Sequence, residues 1–311
     1  MNSAWRGMSS ERMSGIFKKA NMQQIIVTGS NGLIGSAFCN KFRDAYEIVP
    51  FDVSDANNPV DITDAQNVDE AIAASEAGTV VHFAAFTDVT AAWQHTDDTS
   101  GAAYKVNVEG TKNLVHACNK TNKHLICIST SYVFDGEKAE QYIETDAVNP
   151  IEWYGKTKAL AEEYVQSNSS KWTVFRIDQP FNSEKATKLD IAHKIIHDLQ
   201  AKRLYPQFSD HYFGPTWIPD FINAIEWSIR ASKTGLYHAS NGETWNNFDF
   251  AKKVAELLDK QDEVQPSSLS EYLKTSARPY QKNTALNCEK LFSEIDFKYT
   301  AVEKAIGMIR V

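Results

Sequence analysis

Ile25-Ile26-Val27-Thr28-Gly29-Ser30-Asn31-Gly32-Leu33-Ile34-Gly35 decides how this chain is read. Ile25 to Val27 is a short β-branched run of the kind that forms a buried parallel strand. Glycines follow at three-residue spacing, and Leu33, Ile34, Ala37 and Phe38 then recur with a helical period. Gly29 lets the chain turn tightly, and Gly32 leaves no side chain where a diphosphate approaches a helix N-terminus. Gly35 lets that helix lie close on the strand. A second strand, Glu47 to Phe51, ends in Asp52, an acid placed to accept from a ribose hydroxyl. Strand, turn, helix and acid together predict a dinucleotide site, with Ser30, Asn31, Leu33 and Ile34 in the turn that holds it.

The same pattern continues outward. Thr79 to Phe83 is another apolar strand and runs into Ala84-Ala85-Phe86-Thr87. A long amphipathic helix through Ala103, Val106, Val108, Leu114 and Val115 leads to the strand Leu125 to Ile128, followed by Ser129-Thr130-Ser131. Trp153 to Val165 reads as a helix and Trp172 to Ile177 as a strand. Alternating strands and helices with short connections predict an α/β fold, a doubly wound parallel sheet. Beyond Ile177 the regularity loosens into a helix near Ile191 to Leu199, an aromatic loop from Tyr205 to Trp217, and a helix from Asp220 to Ile229. The strand Leu236 to His238 follows, then helical stretches Phe248 to Leu258, Ser268 to Leu273 and Val302 to Ile309. The expected organisation is a dinucleotide-binding domain over 22–178, rejoined by 216–239. Residues 179–215 and 240–311 are expected to form a smaller mixed α/β lobe closing a cleft over the cofactor. Residues 1–21 carry Arg6, Arg12, Lys18 and Lys19 against one acid, Glu11, and read as a flexible extension, with a transit peptide as the alternative.

With 311 residues, 42% of them hydrophobic, the chain can bury the core of one large or two small domains. A net charge of −8 without any basic run excludes general nucleic-acid binding, and no apolar stretch reaches membrane-spanning length. Cys39, Cys118, Cys127 and Cys288 have no metal spacing. The last three read as small buried apolar residues, which fits a reduced, cytoplasmic compartment. His193 and His197 stand four apart on a predicted helix, a metal-pair spacing, but no third ligand accompanies them and they read as exposed. His82 and His238 lie in strands and read as core, so no metal is expected. Tyr205, Phe208, Tyr212, Phe213 and Trp217 have two readings, a stacking surface for a base or sugar and an aromatic core of the second lobe.

Tyr154-Gly155-Lys156-Thr157-Lys158 puts a phenol and an ammonium on one helix face. Alone, the pair is an ordinary surface Tyr-Lys. A cation near the phenol would let Tyr154 exchange a proton near neutral pH. Thr130 adds a hydroxyl at the C-terminal end of a predicted parallel strand, the edge where α/β sheets bind ligands. Hydroxyl, phenol and lysine beside a dinucleotide site point to hydride transfer to or from a carbonyl.

Gly29-x-x-Gly32-x-x-Gly35, Asp52, Asp61-Ile62, Ala84-Ala85, Asn107, Ser129-Thr130 and Tyr154-x-x-x-Lys158 resemble the motifs of the extended short-chain dehydrogenase/reductases. Ser129 through Gly136, Tyr142-x-Glu144-x-Asp146, Asn149-Pro150, Gly214-Pro215-Thr216, Gly235-Leu236-Tyr237-His238 and Ala277-Arg278-Pro279 are similar to the dTDP-4-dehydrorhamnose reductase group. The resemblance runs from residue 22 to about residue 292. It implies Tyr154 as general acid, Lys158 tuning it and holding the nicotinamide ribose, and Thr130 on the sugar C4 carbonyl oxygen. Asp52 would take the adenosine ribose and Asp61-Ile62 the adenine, with the glycine turn, Ala84, Ala85 and Asn107 completing the cofactor site. The implied substrate is a nucleotide-linked 4-keto-6-deoxy sugar beside Thr87, Val89, Ser131, Tyr132 and Gln179. Arg278 is either a partner for the nucleotide diphosphate or an exposed surface arginine. A homodimer through the helices near Val106 to Cys118 and Trp153 to Val165 is the corresponding family expectation.

The departures fall where the sugar should lie. Ser131 stands where the group usually has Asp, and Thr87 to Trp93 replaces a segment that carries acids. Ile177-Asp178-Gln179-Pro180 stands where the group often has a tryptophan. Ser131-Tyr132 also lacks the acid pair of the sugar-nucleotide 4,6-dehydratases. Two rival readings are a sugar-nucleotide epimerase that retains NAD and a non-catalytic nucleotide-binding regulatory subunit; the complete Thr130, Tyr154, Lys158 set argues against the second. No Lys or Arg lies between Phe51 and Val68, and Asp52 would repel a 2′-phosphate. NAD(H) is therefore the expected cofactor and NADP(H) the second choice.

Overall fold

The computed structural model describes residues 22–56 and 58–311. The extension expected over 1–21 lies outside the described residues. β1 (Gln24–Thr28) enters the glycine turn and α1 (Leu33–Phe42), followed by β2 (Glu47–Phe51), α2 (Ala65–Ala73) and β3 (Thr79–His82). Next come α3 (Val89–Gln94), a π-helical segment (Lys105–Glu109) continuing into α4 (Gly110–Lys120), and β4 (His124–Thr130). α5 (Trp153–Asn168), β5 (Trp172–Ile177), α6 (Ile191–Gln200), α7 (Ile218–Arg230), β6 (Gly235–His238) and α8 (Asn247–Ala255) complete the main elements.

The six strands form one sheet in the order β6-β5-β4-β3-β1-β2, and every neighbouring pair is parallel. This is the expected doubly wound sheet. Alternate side chains serve opposite faces. Ile25 and Val27 pack with Phe38 of α1 and Phe221, Ile222 and Ile225 of α7. Ile26 packs the other way, with Val68 and Ile72 of α2, Leu114 and Val115 of α4, and Val165 of α5. Strand order reverses between β1 and β3, which opens a crevice at the carboxyl ends of the strands. The glycine turn sits at its edge.

That turn is tight for steric reasons. Gly29 has φ +63°, and a Cβ on it would lie 2.6 Å from the backbone nitrogen of Ala84. A Cβ on Gly35 would run into the carbonyl oxygen of Gly29, so α1 rests on the strand end through a missing side chain.

A third core lies beyond the sheet. It joins α6, α8 and a short helix (Val302–Ile306) around Phe181, Phe213 and Trp217. Phe213 and Trp217 thus belong to the aromatic core, whereas Tyr205 is 82% exposed and Phe208 meets Tyr272 at 5.5 Å. Cys118, Cys127 and Cys288 are buried and Cys39 is half-buried, all as free thiols. His82 and His238 are buried as expected, but His193 is not exposed. Asp190 caps α6 and accepts from both the backbone nitrogen and the ring Nδ1 of His193 at 2.9 Å, and that carboxylate partner lets the imidazole be buried.

Arg176 of β5 is 2% exposed and forks onto Glu162 of α5, with Nη2 2.7 Å from Oε2 and Nε 3.0 and 3.1 Å from the two oxygens. The guanidinium also lies 5.0 Å above the Phe134 ring. Glu162→Ala leaves this cation buried and unpaired, and urea denaturation is expected to show a loss of about 3–5 kcal/mol. Gly35→Ala is expected to cost about 1–3 kcal/mol in the same measurement, because neither backbone can retreat. A Gly35→Ala protein as stable as wild type would refute the close approach.

Candidate active site

α5 begins at Trp153 because Glu152 caps it, accepting from the backbone nitrogens of Tyr154 at 2.9 Å and Gly155 at 2.6 Å. Gly155 has no side chain where one would strike the Tyr132 carbonyl oxygen, so the first turn of α5 sits hard against the segment after β4. Tyr154 and Lys158 are consequently buried, 9% and 6% exposed, on the face turned toward the sheet. Thr130 ends β4, and its hydroxyl faces the Tyr154 phenol. All three residues line one cavity of about 490 Å³ together with Gly29, Gly32, Leu33, Ile34, Gly35 and Ala85. Thr87, Val89, Tyr132 and Gln179 line it as well.

The turn side of these walls suits a diphosphate. α1 has no side-chain cap at Gly32, so the backbone N–H groups of its first turn face the cavity region without a side-chain acceptor. Ser30 Oγ in the same turn is buried with no partner.

The remaining expected residues fall outside the cavity walls. Asp52 accepts from Asn31 N at 3.0 Å and from Ser54 N at 2.9 Å, tying the glycine turn to the end of β2. Burial pushes the Asp52 carboxyl up, but these bonds outweigh it and hold the pKa below the ordinary 3.8. Asp61 is exposed and accepts from Thr63 N at 2.8 Å, and Ile62 is buried under Gly110 of α4. Ala84 donates its N–H to Thr28 Oγ1 at 3.2 Å. Asn107, in the π-helical segment, is a buried brace. Its Oδ1 accepts from Phe86 N at 2.8 Å, and its Nδ2 donates to Phe86 O at 3.1 Å and to Thr157 Oγ1 at 3.0 Å. Its amide is spent inside the protein rather than on the cavity. Ser131 is fully buried beside Asp178. Arg278 is half-buried, stacked 4.1 Å over Tyr280, with Nη1 donating to Thr90 Oγ1 at 2.9 Å and Nε buried without a partner.

The electrostatics differ from the sequence expectation in one respect. Lys158 Nζ donates to the carbonyl oxygen of Ile128 at 2.8 Å, and burial pushes its pKa down, opposed by Cys127 and Glu162. Tyr154 is raised above the ordinary 10 by burial, against the pull of the Thr130 hydroxyl and with a further push from Glu152 and Asp178. Desolvation dominates. The phenol keeps its proton, which suits it to give one to an oxygen that is gaining negative charge.

Among the cavity residues, Lys188 had no role in the sequence expectation, and Asp178 was noted only as part of a departure. Lys188 reaches Thr87 and donates to its hydroxyl. Asp178 follows β5 and accepts on Oδ2 from Gly214 N at 3.0 Å and Thr284 Oγ1 at 2.6 Å. The signal in the sequence was a carboxylate directly after a strand end, at the ligand-binding edge of the sheet.

A nicotinamide-dependent oxidoreductase of the short-chain type is the class of protein that this fold and this set of side chains define. Residues 22–309 match the family described as RmlD substrate binding domain, and the chain belongs to that family. It is 27% identical over 307 residues to a dTDP-4-dehydrorhamnose reductase of Aggregatibacter actinomycetemcomitans, spanning 93% of this chain and 99% of that one. A second, from Burkholderia thailandensis, is 29% identical over 237 residues, 72% of this chain and 76% of that one. The crystal structure of dTDP-4-dehydrorhamnose reductase from Bacillus anthracis in complex with NADP superposes with a TM-score of 0.83 at 26% identity, covering 92% of this chain and 98% of that one.

Burial raises the Asp178 carboxyl from 3.8 to about 6, against the pull of Thr284, Gly214 and Ser131. An acid raised on folding holds its proton more tightly in the native state. Ionised Asp178 therefore costs stability above pH 6 and costs nothing below 3.8. Asp178→Asn keeps an oxygen for Gly214 and Thr284. In urea at pH 8 it is expected to exceed wild type by on the order of 3 kcal/mol, a gap that closes by about pH 4. A gap independent of pH would mean that the carboxyl is not raised.

Proposed function

We propose that the protein reduces the C4 carbonyl of a nucleotide-linked 4-keto-6-deoxy sugar, in the manner of the dTDP-4-dehydrorhamnose reductases to which it is similar. The observation that carries this reading is the convergence of Thr130, Tyr154 and Lys158 on one cavity with the glycine turn at the sheet's switch point. The reduced nicotinamide supplies the hydride to C4. Tyr154 gives its proton to the carbonyl oxygen as that oxygen takes up the electron pair of the C=O bond, and Thr130 donates a hydrogen bond to the same oxygen. Lys158, anchored on Ile128 O, keeps two N–H donors for the ribose side of the cofactor and for the phenolate left behind.

In this reading 22–178 with 216–239 form the cofactor half, and 179–215 with 240–311 hold the sugar nucleotide. Asp61-Ile62 serve the adenine end. Thr87, Val89, Tyr132 and Gln179 serve the sugar, Ser131 lies behind it, and Arg278 serves the diphosphate. NADH is the proposed reductant, because the ionised Asp52 carboxylate would repel a 2′-phosphate and no Lys or Arg lies between Phe51 and Val68. The NADP of the Bacillus anthracis structure makes the cofactor a matter for measurement. A cytoplasmic homodimer through α4 and α5 belongs to the same proposal and rests on family resemblance. Among the described residues no helix is long and apolar enough to cross a membrane.

The test is loss of reduced-nicotinamide absorbance with dTDP-4-keto-6-deoxy sugars. Wild type is expected to turn over, and Tyr154→Phe to fall by about 10²–10⁴-fold in kcat with cofactor binding retained. NADH is expected to give the higher kcat/KM. No turnover by wild type with any of these sugars, cofactor being bound, would overturn the reading.

A further inference from the structure

Among the described residues, six other than glycine have a positive φ: Asp97, Asn122, Gln179, Lys202, Ser232 and Asp259. Five of them close a helix. Asp97 comes three residues after α3, Asn122 two after α4, Lys202 two after α6 and Ser232 two after α7, and Asp259 directly follows the 3-10 turn Glu256–Leu258. A left-handed residue there is ordinary helix termination. Gln179 is the exception. It lies between β5 and the short strand Pro180–Phe181, with φ +37°, and a proline follows it. Nothing in the local sequence favours that backbone: a glutamine seldom adopts it, and a residue before proline prefers extended angles.

The surroundings impose it. Asp178 is held by Gly214 N and Thr284 Oγ1 through its side chain, and by Thr216 Oγ1 through its backbone N–H at 3.1 Å and carbonyl oxygen at 2.6 Å. The Gln179 N–H turns back onto the Asp178 carboxylate, and its carbonyl oxygen accepts from Thr216 N at 3.3 Å. With its main chain pinned on both sides, the residue has no freedom to relax. Strain of this kind persists where the aim of a side chain matters.

Gln179 is partly exposed and lines the cavity of Thr130 and Tyr154. β4 and β5 are adjacent, with Thr130 in register with Ile177, so Gln179 stands two residues past the catalytic hydroxyl on the neighbouring strand. Its side-chain amide has no hydrogen-bond partner among the described residues, while Leu33, Ile34, Phe83, Ile128 and Pro180 make much of the wall apolar. An uncommitted donor and acceptor on an apolar wall finds its partner in the ligand.

We propose that Gln179 is the specificity-determining residue of this site, its strained backbone aiming a neutral amide at the ring hydroxyl next to the carbonyl that is reduced. This rests on the reductase reading above and deepens it. A carboxamide both donates to and accepts from a hydroxyl, so it reads the presence and position of that group without adding charge beside the developing alkoxide.

Gln179→Gly is the test, because glycine adopts this backbone without strain and removes only the side chain. The expected result is a thermal midpoint equal to or above wild type together with a fall of about tenfold in kcat/KM. An analogue lacking the ring hydroxyl is expected to erase the difference, wild type and Gln179→Gly turning it over equally. A Gln179→Gly enzyme within twofold of wild type on the full substrate would overturn the assignment while leaving the reductase intact. An equal loss on full substrate and analogue would overturn it too, since the amide would then act by some other route than the hydroxyl. Failure of wild type itself to turn over would overturn the reductase reading and this assignment with it.

Discussion

Glu162 and Arg176 share a buried, bidentate ion pair, and the placement of the reactive side chains depends on it. α5 carries Tyr154, Lys158 and Glu162 at four-residue intervals, so the residue that locks the helix to β5 lies on the same face as the two proposed to do the chemistry. Lys158 adds a second tie, to Ile128 O on β4, and the Glu152 cap fixes where the helix begins. A helix held at both ends of one face cannot rotate, and Tyr154 is thereby aimed at Thr130. A buried ion pair adds little net stability compared with an apolar pair of the same size; what it contributes here is a single permitted register between helix and sheet.

The cavity has two walls of different character. One is the glycine turn with the first turn of α1, where absent side chains leave backbone donors free. The other comes from the segments after β5, where Asp178, Gln179, Pro180 and Lys188 stand. In the proposed reading the first wall takes the cofactor through backbone geometry, and the second meets the substrate through side chains. The segment Ile177 to Pro180, where the sequence departs from the reductase pattern, belongs to that wall.

Burial explains most of the unusual protonation behaviour. The Tyr154 phenol is raised and the Lys158 ammonium lowered by the same cause, desolvation on the inner face of α5. Asp178 is raised as well, though it accepts two strong hydrogen bonds. A site dried in this way keeps the Tyr154 phenol protonated, and it strengthens each hydrogen bond formed there.

The sequence by itself determined the sheet, because each strand and its flanking helix are written in local periodicity. Ile25 to Val27, the three glycines and the Tyr154–Lys158 spacing could be read without any long-range information. Trp172 to Ile177 was legible as a strand residue for residue. The tertiary structure alone decided what long-range partners decide. Asp178 is answered by Thr284, 106 residues away, and His193 is buried because the cap of its own helix turns back onto its ring. Asn107, expected at the cofactor, bonds Phe86 and Thr157 within the protein, and Lys158 answers a carbonyl on β4. Periodicity reports which face a residue is on. Which group it meets there depends on segments far away in the chain, and so do desolvation and backbone strain such as that at Gln179; none of these leaves a local mark in the sequence.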